Sequence, residues 1–254
     1  MERSALDHTL AMRLREAEYA VRYFVNAYPS LYMPFARIRH RHQSDWTVRP
    51  QTELVIEGFG RSGSTFAVDA FELVQHRSVR LAHHTHAAAQ VIVAAKKGLP
   101  TLVIVRRPAE VAASHMARRG ISGKPPLVAW VRYHERILPY RDRFVVAPFE
   151  QITNDLGAAI RAVNERFGTD FDEFETTEAS TAGVLERIEA RIRQRFGIGT
   201  EEGARSLARP TPEREALKRR LSAELDGPAL APLRARAERL YGLLVPPVQT
   251  RLGG

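Results

Sequence analysis

Three short stretches of this chain gather residues that could bind an anion or move a proton. In Glu53-Leu54-Val55-Ile56-Glu57-Gly58-Phe59-Gly60-Arg61-Ser62-Gly63-Ser64-Thr65-Phe66 an apolar, β-branched run breaks into glycines, hydroxyls and one arginine. Apolar residues then resume at helical spacing from Ala67 to Val74. This reads as a strand, a tight loop and a helix. Glycines let backbone N–H groups approach an anion, and the free N–H groups and dipole of the following helix N-terminus face it, so the loop is a phosphate cradle. The second stretch, Val105-Arg106-Arg107-Pro108-Ala109-Glu110-Val111-Ala112-Ala113-Ser114, turns from an apolar run straight into helical spacing, with arginine at the corner. The third, His83-His84-Thr85-His86, holds three histidines, the side chain whose ordinary pKa suits proton transfer near neutral pH.

Set on the G-x-x-x-x-G-K-[ST] phosphate-loop pattern, Gly58, Gly63 and Thr65 fall in frame, but Ser64 stands at the lysine position and the cation is Arg61, inside the loop. A nucleoside-triphosphate enzyme uses that lysine and a metal on the β- and γ-phosphates, so the pattern argues against ATP or GTP hydrolysis. Three histidines in four positions also suggest zinc, but no carboxylate–histidine spacing and no cysteine accompanies them. No metal is expected.

The elements that must position these stretches read as α/β. Pro100-Thr101-Leu102-Val103-Ile104-Val105 is an uninterrupted apolar run, as for a strand buried on both faces of a parallel sheet. A short strand running into a loop is expected over 79–86 and a further strand at 144–147, with helices at 87–97, 128–138 and 156–167. In an open α/β sheet ligands bind beyond the carboxyl ends of the strands, where the cradle and the Arg106 loop would face one another.

The 254 residues, 44% hydrophobic, predict a single domain over 1–254: an N-terminal helical arm at 1–50, an α/β cofactor-binding core at 52–168 and a helical C-terminal part at 171–254. The arm holds an amphipathic helix over 4–28, then the aromatic, proline-punctuated stretch 28–35 and a basic run to His42. Segment 197–212 reads as a flexible loop, with Arg205 and Arg209 placed to close over a ligand, before a last helical stretch over 212–243. No run approaches the roughly 18 apolar residues of a membrane span, and no signal core leads the chain, so a cytoplasmic location is expected. Zero cysteines exclude disulfides and thiol chemistry. The net charge of +9 favours an anionic partner without naming it.

Both anion-friendly stretches together resemble the sulfotransferases that use 3′-phosphoadenosine 5′-phosphosulfate (PAPS), over roughly residues 52–168. Their first signature, a [KR]-S-G-[ST]-[ST]-[FW] loop, is matched by Arg61-Ser62-Gly63-Ser64-Thr65-Phe66, and their second, a strand-end arginine with a serine eight positions on, by Arg106 and Ser114. The Phe149-Glu150-Gln151-Ile152 turn is also similar. The resemblance implies the phosphate-loop (P-loop) α/β fold and metal-free sulfuryl transfer from PAPS to a hydroxyl or amine. Gly60, Arg61, Ser62, Gly63, Ser64 and Thr65 would hold the 5′-phosphate, Phe66 would lie against adenine, and Arg106 and Ser114 would hold the 3′-phosphate. Arg61 would also stabilise the leaving phosphate. By match to the Lys-Thr-His of cytosolic members, His86 is the candidate base and His84 stands where the lysine is usual. Glu72 on the cradle helix is the alternative base, with Asp69 close by.

The implied acceptor is a small molecule, lipid or glycan. Arg118-Arg119-Gly120-Ile121-Ser122-Gly123 reads as an acceptor-side loop. No nucleic-acid reader motif is present and no specific nucleic acid is expected. Peripheral membrane contact and oligomeric state stay open. The competing classes are a phosphate-loop small-molecule kinase, against which Ser64 speaks, and a non-catalytic basic protein binding nucleic acid or membrane surfaces.

Overall fold

The computed structural model describes residues 2–39, 46–196 and 212–245. Four strands, β1 (Leu54–Gly58), β2 (Leu81–His83), β3 (Thr101–Val105) and β4 (Val145–Pro148), pair in parallel in the order β2-β1-β3-β4. Ile56 sits opposite His83 on one side and Leu102 on the other, and Val105 sits opposite Pro148. The apolar runs of β1 and β3 are continuous because helices cover both faces. Leu54, Ile56, Leu102 and Ile104 pack with Phe71 of α3 (Ser64–Val74) and Ile160 of α8 (Leu156–Phe167). Val103 and Val105 face the other way, towards Ile92 of α4 (Ala88–Lys97) and Trp130 of α6 (Lys124–Ile137). The fold is the expected α/β arrangement, a central parallel sheet flanked by helices and extended by helices at both ends.

The chain leaves β1 through α3 to β2 on one side, then crosses by α4 to β3 on the other side of β1. The strand order therefore reverses between β1 and β3, the point at which an open α/β sheet has its ligand crevice, at the carboxyl ends of the strands. The loop after β1 and the turn from β3 into α5 (Pro108–Arg119) flank that crevice.

The helical arm and the helical C-terminal part are each divided more finely than the sequence spacing alone indicates. The proline-punctuated stretch after the first helix is itself helical: α1 (Glu2–Val25) is followed by α2 (Pro29–Arg39) with Pro34 inside it. Pro29 opens the helix where its missing N–H costs nothing, and the single bond lost at Pro34 is offset by burying Tyr32, Met33 and Ala36. The C-terminal part comprises α9 (Glu178–Phe196), α10 (Pro212–Leu225) and α11 (Ala231–Leu244). The last expected helix is thus broken around Asp226-Gly227, where the 3-10 turn Pro228–Leu230 redirects the chain. Arg205 and Arg209 lie outside the described residues. Among the described residues no helix is long and apolar enough to cross a membrane.

Candidate functional site

The loop after β1 is shaped by close approaches. A Cβ on Gly60 would lie 2.9 Å from Tyr23 Oη and 3.2 Å from the His115 ring, so only glycine lets α1 and α5 press against the loop there. Gly63 combines φ +89° with Phe149 Cδ2 at 2.9 Å from its would-be Cβ. It caps α3 without a side-chain hydrogen bond, and the first N–H groups of the helix point into the loop. Ser62 is fully buried, and its Oγ finds no hydrogen-bond partner among the described residues. A buried hydroxyl without a partner beside a helix N-terminus is chemically suited to an anion.

The turn after β3 closes onto this loop. Arg61 Nε donates to Ser114 Oγ at 3.0 Å, across 53 residues of chain, and Arg106 donates from Nη1 to the Arg61 carbonyl at 3.3 Å. The Arg106 guanidinium lies 3.9 Å over the Phe149 ring on α7 (Phe149–Asn154) and pairs with Glu110 at 2.9 Å. Trp130 Nε1 donates to the Arg106 carbonyl at 3.2 Å and pins the corner. Arg61, Arg106 and Ser114 are thus brought together, with two guanidiniums at one crevice. Phe66, in the first turn of α3, is half-buried and meets Phe174 edge-on, centroids 6.2 Å apart, and the aromatic face under the Arg106 guanidinium is that of Phe149.

The histidine turn reaches the same loop. His84 Nε2 is 3.3 Å from Thr65 Oγ1, and His83 and His84 meet through their Nδ1 atoms beneath Trp46. His86 Nδ1 is 3.0 Å from the Gly58 carbonyl oxygen, which can only accept. The ring proton therefore sits on Nδ1 and the lone pair on Nε2. Burial, with the charges of Arg22 and Arg61 adding to it, pushes the His86 pKa down to about 4, against the pull of that carbonyl. Its side chain is still 23% exposed, so the neutral ring stays reachable. His84 (φ +58°), His86 (φ +52°) and Arg61 (φ +72°) are the only non-glycine residues with left-handed backbone among the described residues. Such strain gathers where surrounding structure holds a site in place.

What holds the turn is Glu57, buried at the end of β1. Its carboxylate accepts from Thr85 N at 2.8 Å, Thr85 Oγ1 at 2.7 Å, Gln90 Nε2 at 3.0 Å and His86 N at 3.1 Å. Burial raises its pKa to about 7, and these hydrogen bonds hold it from going higher. Sequence reasoning missed Glu57, although a carboxylate inside an otherwise apolar strand, four residues before Arg61, needs partners and was the available signal. It also missed Phe149 as the arginine platform, and Tyr23, brought by α1.

Other nominated residues face away. Glu72 pairs with Arg187 at 3.1 Å, and buried Asp69 contacts Arg187 at 3.4 Å and also Arg191, so both carboxylates of α3 are turned to α9. The loop 118–123 is tied to α1 by Ser122 N donating to Glu16 at 2.8 Å. Open depressions of about 680 and 440 Å³ lie at the amino ends of the strands, lined by Lys96, Arg143 and Arg166 and by Arg37, Arg49 and Lys97. They share no residue with the crevice, and Lys96 and Lys97 there complement the C-terminal dipole of α4. Among the described residues no group of three or more His, Asp or Glu side chains is arranged to hold a metal ion.

No protein-family model matches this chain, and no curated protein matches it. Among solved structures it is similar to mouse sulfotransferase SULT7A1 complexed with PAP, at 11% identity and a TM-score of 0.40, over 79% of this chain and 92% of that one.

Proposed function

We propose that this chain is a sulfotransferase that moves a sulfuryl group from PAPS to a hydroxyl or amine of a small-molecule, lipid or glycan acceptor. The observation that carries the reading is the hydrogen bond from Arg61 Nε to Ser114 Oγ, which joins two cationic loops at the switch point of the sheet. One anion does not need two guanidiniums on separate loops. A nucleotide with distinct 5′ and 3′ anions does, and the missing lysine at Ser64 disfavours a triphosphate.

The donor, when bound, supplies a sulfuryl group on a phosphate leaving group. Ser62 Oγ, Thr65 Oγ1 and the first N–H groups of α3 would bind that phosphate, and Arg61 would offset the charge it gains as the sulfur–oxygen bond breaks. Arg106, steadied on Phe149, would bind the 3′-phosphate with Ser114. His86 Nε2 would take the acceptor proton as the new sulfur–oxygen bond forms, because its Nδ1–H is committed to Gly58. A bound anion would also offset the two arginine charges that lower the His86 pKa.

Calorimetric titration with adenosine 3′,5′-bisphosphate, without magnesium, tests the reading. Binding by the native chain and its loss in Arg61→Ala are expected, followed by labelled-sulfate transfer from PAPS to a panel of acceptors. No binding by the native chain would overturn the proposal.

A further inference from the structure

Seven large apolar side chains of α1 and α2 stand exposed, and their spacing is regular. Leu10, Leu14, Ala17, Val21 and Phe24 recur at alternating steps of four and three, and Leu10, Leu14 and Val21 are 58%, 63% and 63% exposed. The alternation runs on without a slip through half-buried Tyr28 to Leu31, Phe35 and Ile38 on α2, exposed by 49%, 51% and 70%. The turn at 26–28 divides the pattern between two helices, two heptads of it on α1 and a shorter stripe on α2, and a 3.5-residue apolar period on the exposed face of α1 is the pattern of a helix that packs along another helix. The core-facing side of α1 is a different stripe, Tyr19 and Tyr23, about half a turn away. The seam is therefore surplus to the folding of this chain, and an apolar strip of this length in water marks an interaction surface.

We infer that the seam is the interface for a second copy of this chain, α1 lying parallel to its counterpart. Two observations choose the occupant. Arg13 immediately precedes the seam position Leu14, and Glu18 immediately follows Ala17. Those are the flanking positions, five residues apart, that meet across a parallel pair, so Arg13 of each copy faces Glu18 of the other, twice by symmetry. Second, α1 carries four arginines (3, 13, 15, 22) against four acids (Glu2, Asp7, Glu16, Glu18) and has no net charge. A helix built for an anionic lipid surface carries an excess of basic residues on its polar face. Arg132 and Arg136 of α6 lie over Phe24 and Tyr28, at 5.1 and 4.7 Å from the ring centroids, and form a polar rim to the seam. Pairing here leaves the crevice open, since the site-facing residues of α1 lie on its other side.

Sedimentation equilibrium of the full chain at micromolar concentration tests the inference. The native chain is expected at twice its monomer mass, and Leu14→Glu/Val21→Glu, which changes only exposed positions, at monomer mass with an unaltered circular dichroism spectrum. Arg13→Glu should weaken the dimer about three- to tenfold, and Arg13→Glu/Glu18→Arg should restore it. A monomeric native chain, a dimer that survives the Leu14/Val21 change, or a charge swap that restores nothing would each overturn the parallel pairing. Cosedimentation of a monomeric native chain with phosphatidylcholine–phosphatidylglycerol vesicles, lost in the Leu14/Val21 variant, would assign the seam to lipid instead.

Discussion

Thr85 gives both its backbone N–H and its hydroxyl to a single oxygen of Glu57, at 2.8 and 2.7 Å. With Gln90 and His86 on the same carboxylate, β1 grips the histidine turn by a buried group rather than by packing. Glu57→Gln places an NH₂ group against these donors and leaves some unsatisfied, so it is expected to lower unfolding free energy by about 2–3 kcal/mol, and Thr85→Val by about 1–2 kcal/mol. Urea unfolding measures both. Equal stability of Glu57→Gln and the native chain would mean that the carboxylate is not the anchor.

Stability should depend on pH through four buried groups. Burial pushes His115 and His134 down to about 3 and His86 to about 4, so below their ordinary 6.5 the unfolded chain takes protons that the folded one refuses. Their contribution is complete above about pH 6.5 and is lost as pH falls towards 3–4. Glu57 works in the opposite sense: raised from 4.5 to about 7, it binds its proton more readily when folded and favours the fold as pH falls through that window. Three groups against one leave a net uptake of about two protons on unfolding near pH 5.5. The urea midpoint should therefore fall steadily from pH 6.5 to 4.5. His134→Phe, which removes a fully buried ring packed on Trp130, should flatten that slope; an unchanged slope would show that His134 does not titrate as its burial demands.

The sheet was legible because burial on both faces writes itself as unbroken apolar runs, as in Leu102-Val103-Ile104-Val105. The meeting of Arg61, Arg106 and Ser114 was legible because each lies in or just after a loop that follows directly on an apolar run, and neighbouring parallel strands bring those loops together. Glu57 was not: a glutamate in a strand has no periodic signature, and its donors come from parts of the chain as distant as Gln90. The helicity of α2 was hidden for a different reason. Pro34 argues locally against a helix, and tertiary burial of Tyr32, Met33 and Ala36 overrides it.

Arg61 separates function from stability. Its left-handed backbone is strained for a non-glycine residue, and its side chain bonds Ser114 near the surface of the crevice rather than inside the core. Arg61→Gly is expected to keep unfolding free energy within about 1 kcal/mol of the native chain, because relief of strain offsets the lost hydrogen bond and the added freedom of the unfolded state. Bisphosphate binding should be lost at the same time. A loss of several kcal/mol in urea unfolding would make Arg61 a structural residue and remove it from the site.

The choice of base can be tested between two residues that the structure treats differently. Glu72 is paired with Arg187 on the far side of α3, whereas His86 presents a neutral ring with its Nε2 lone pair free of the Gly58 bond. On the proposed transfer reaction, His86→Ala should cut turnover by about 10²- to 10⁴-fold while bisphosphate affinity changes less than about threefold. Glu72→Gln should leave turnover within about twofold, since it weakens an exposed ion pair with Arg187. A Glu72 variant as slow as the His86 variant would mean that α3 turns in the complex to bring its carboxylate to the acceptor, and the proton would then leave by Glu72 instead.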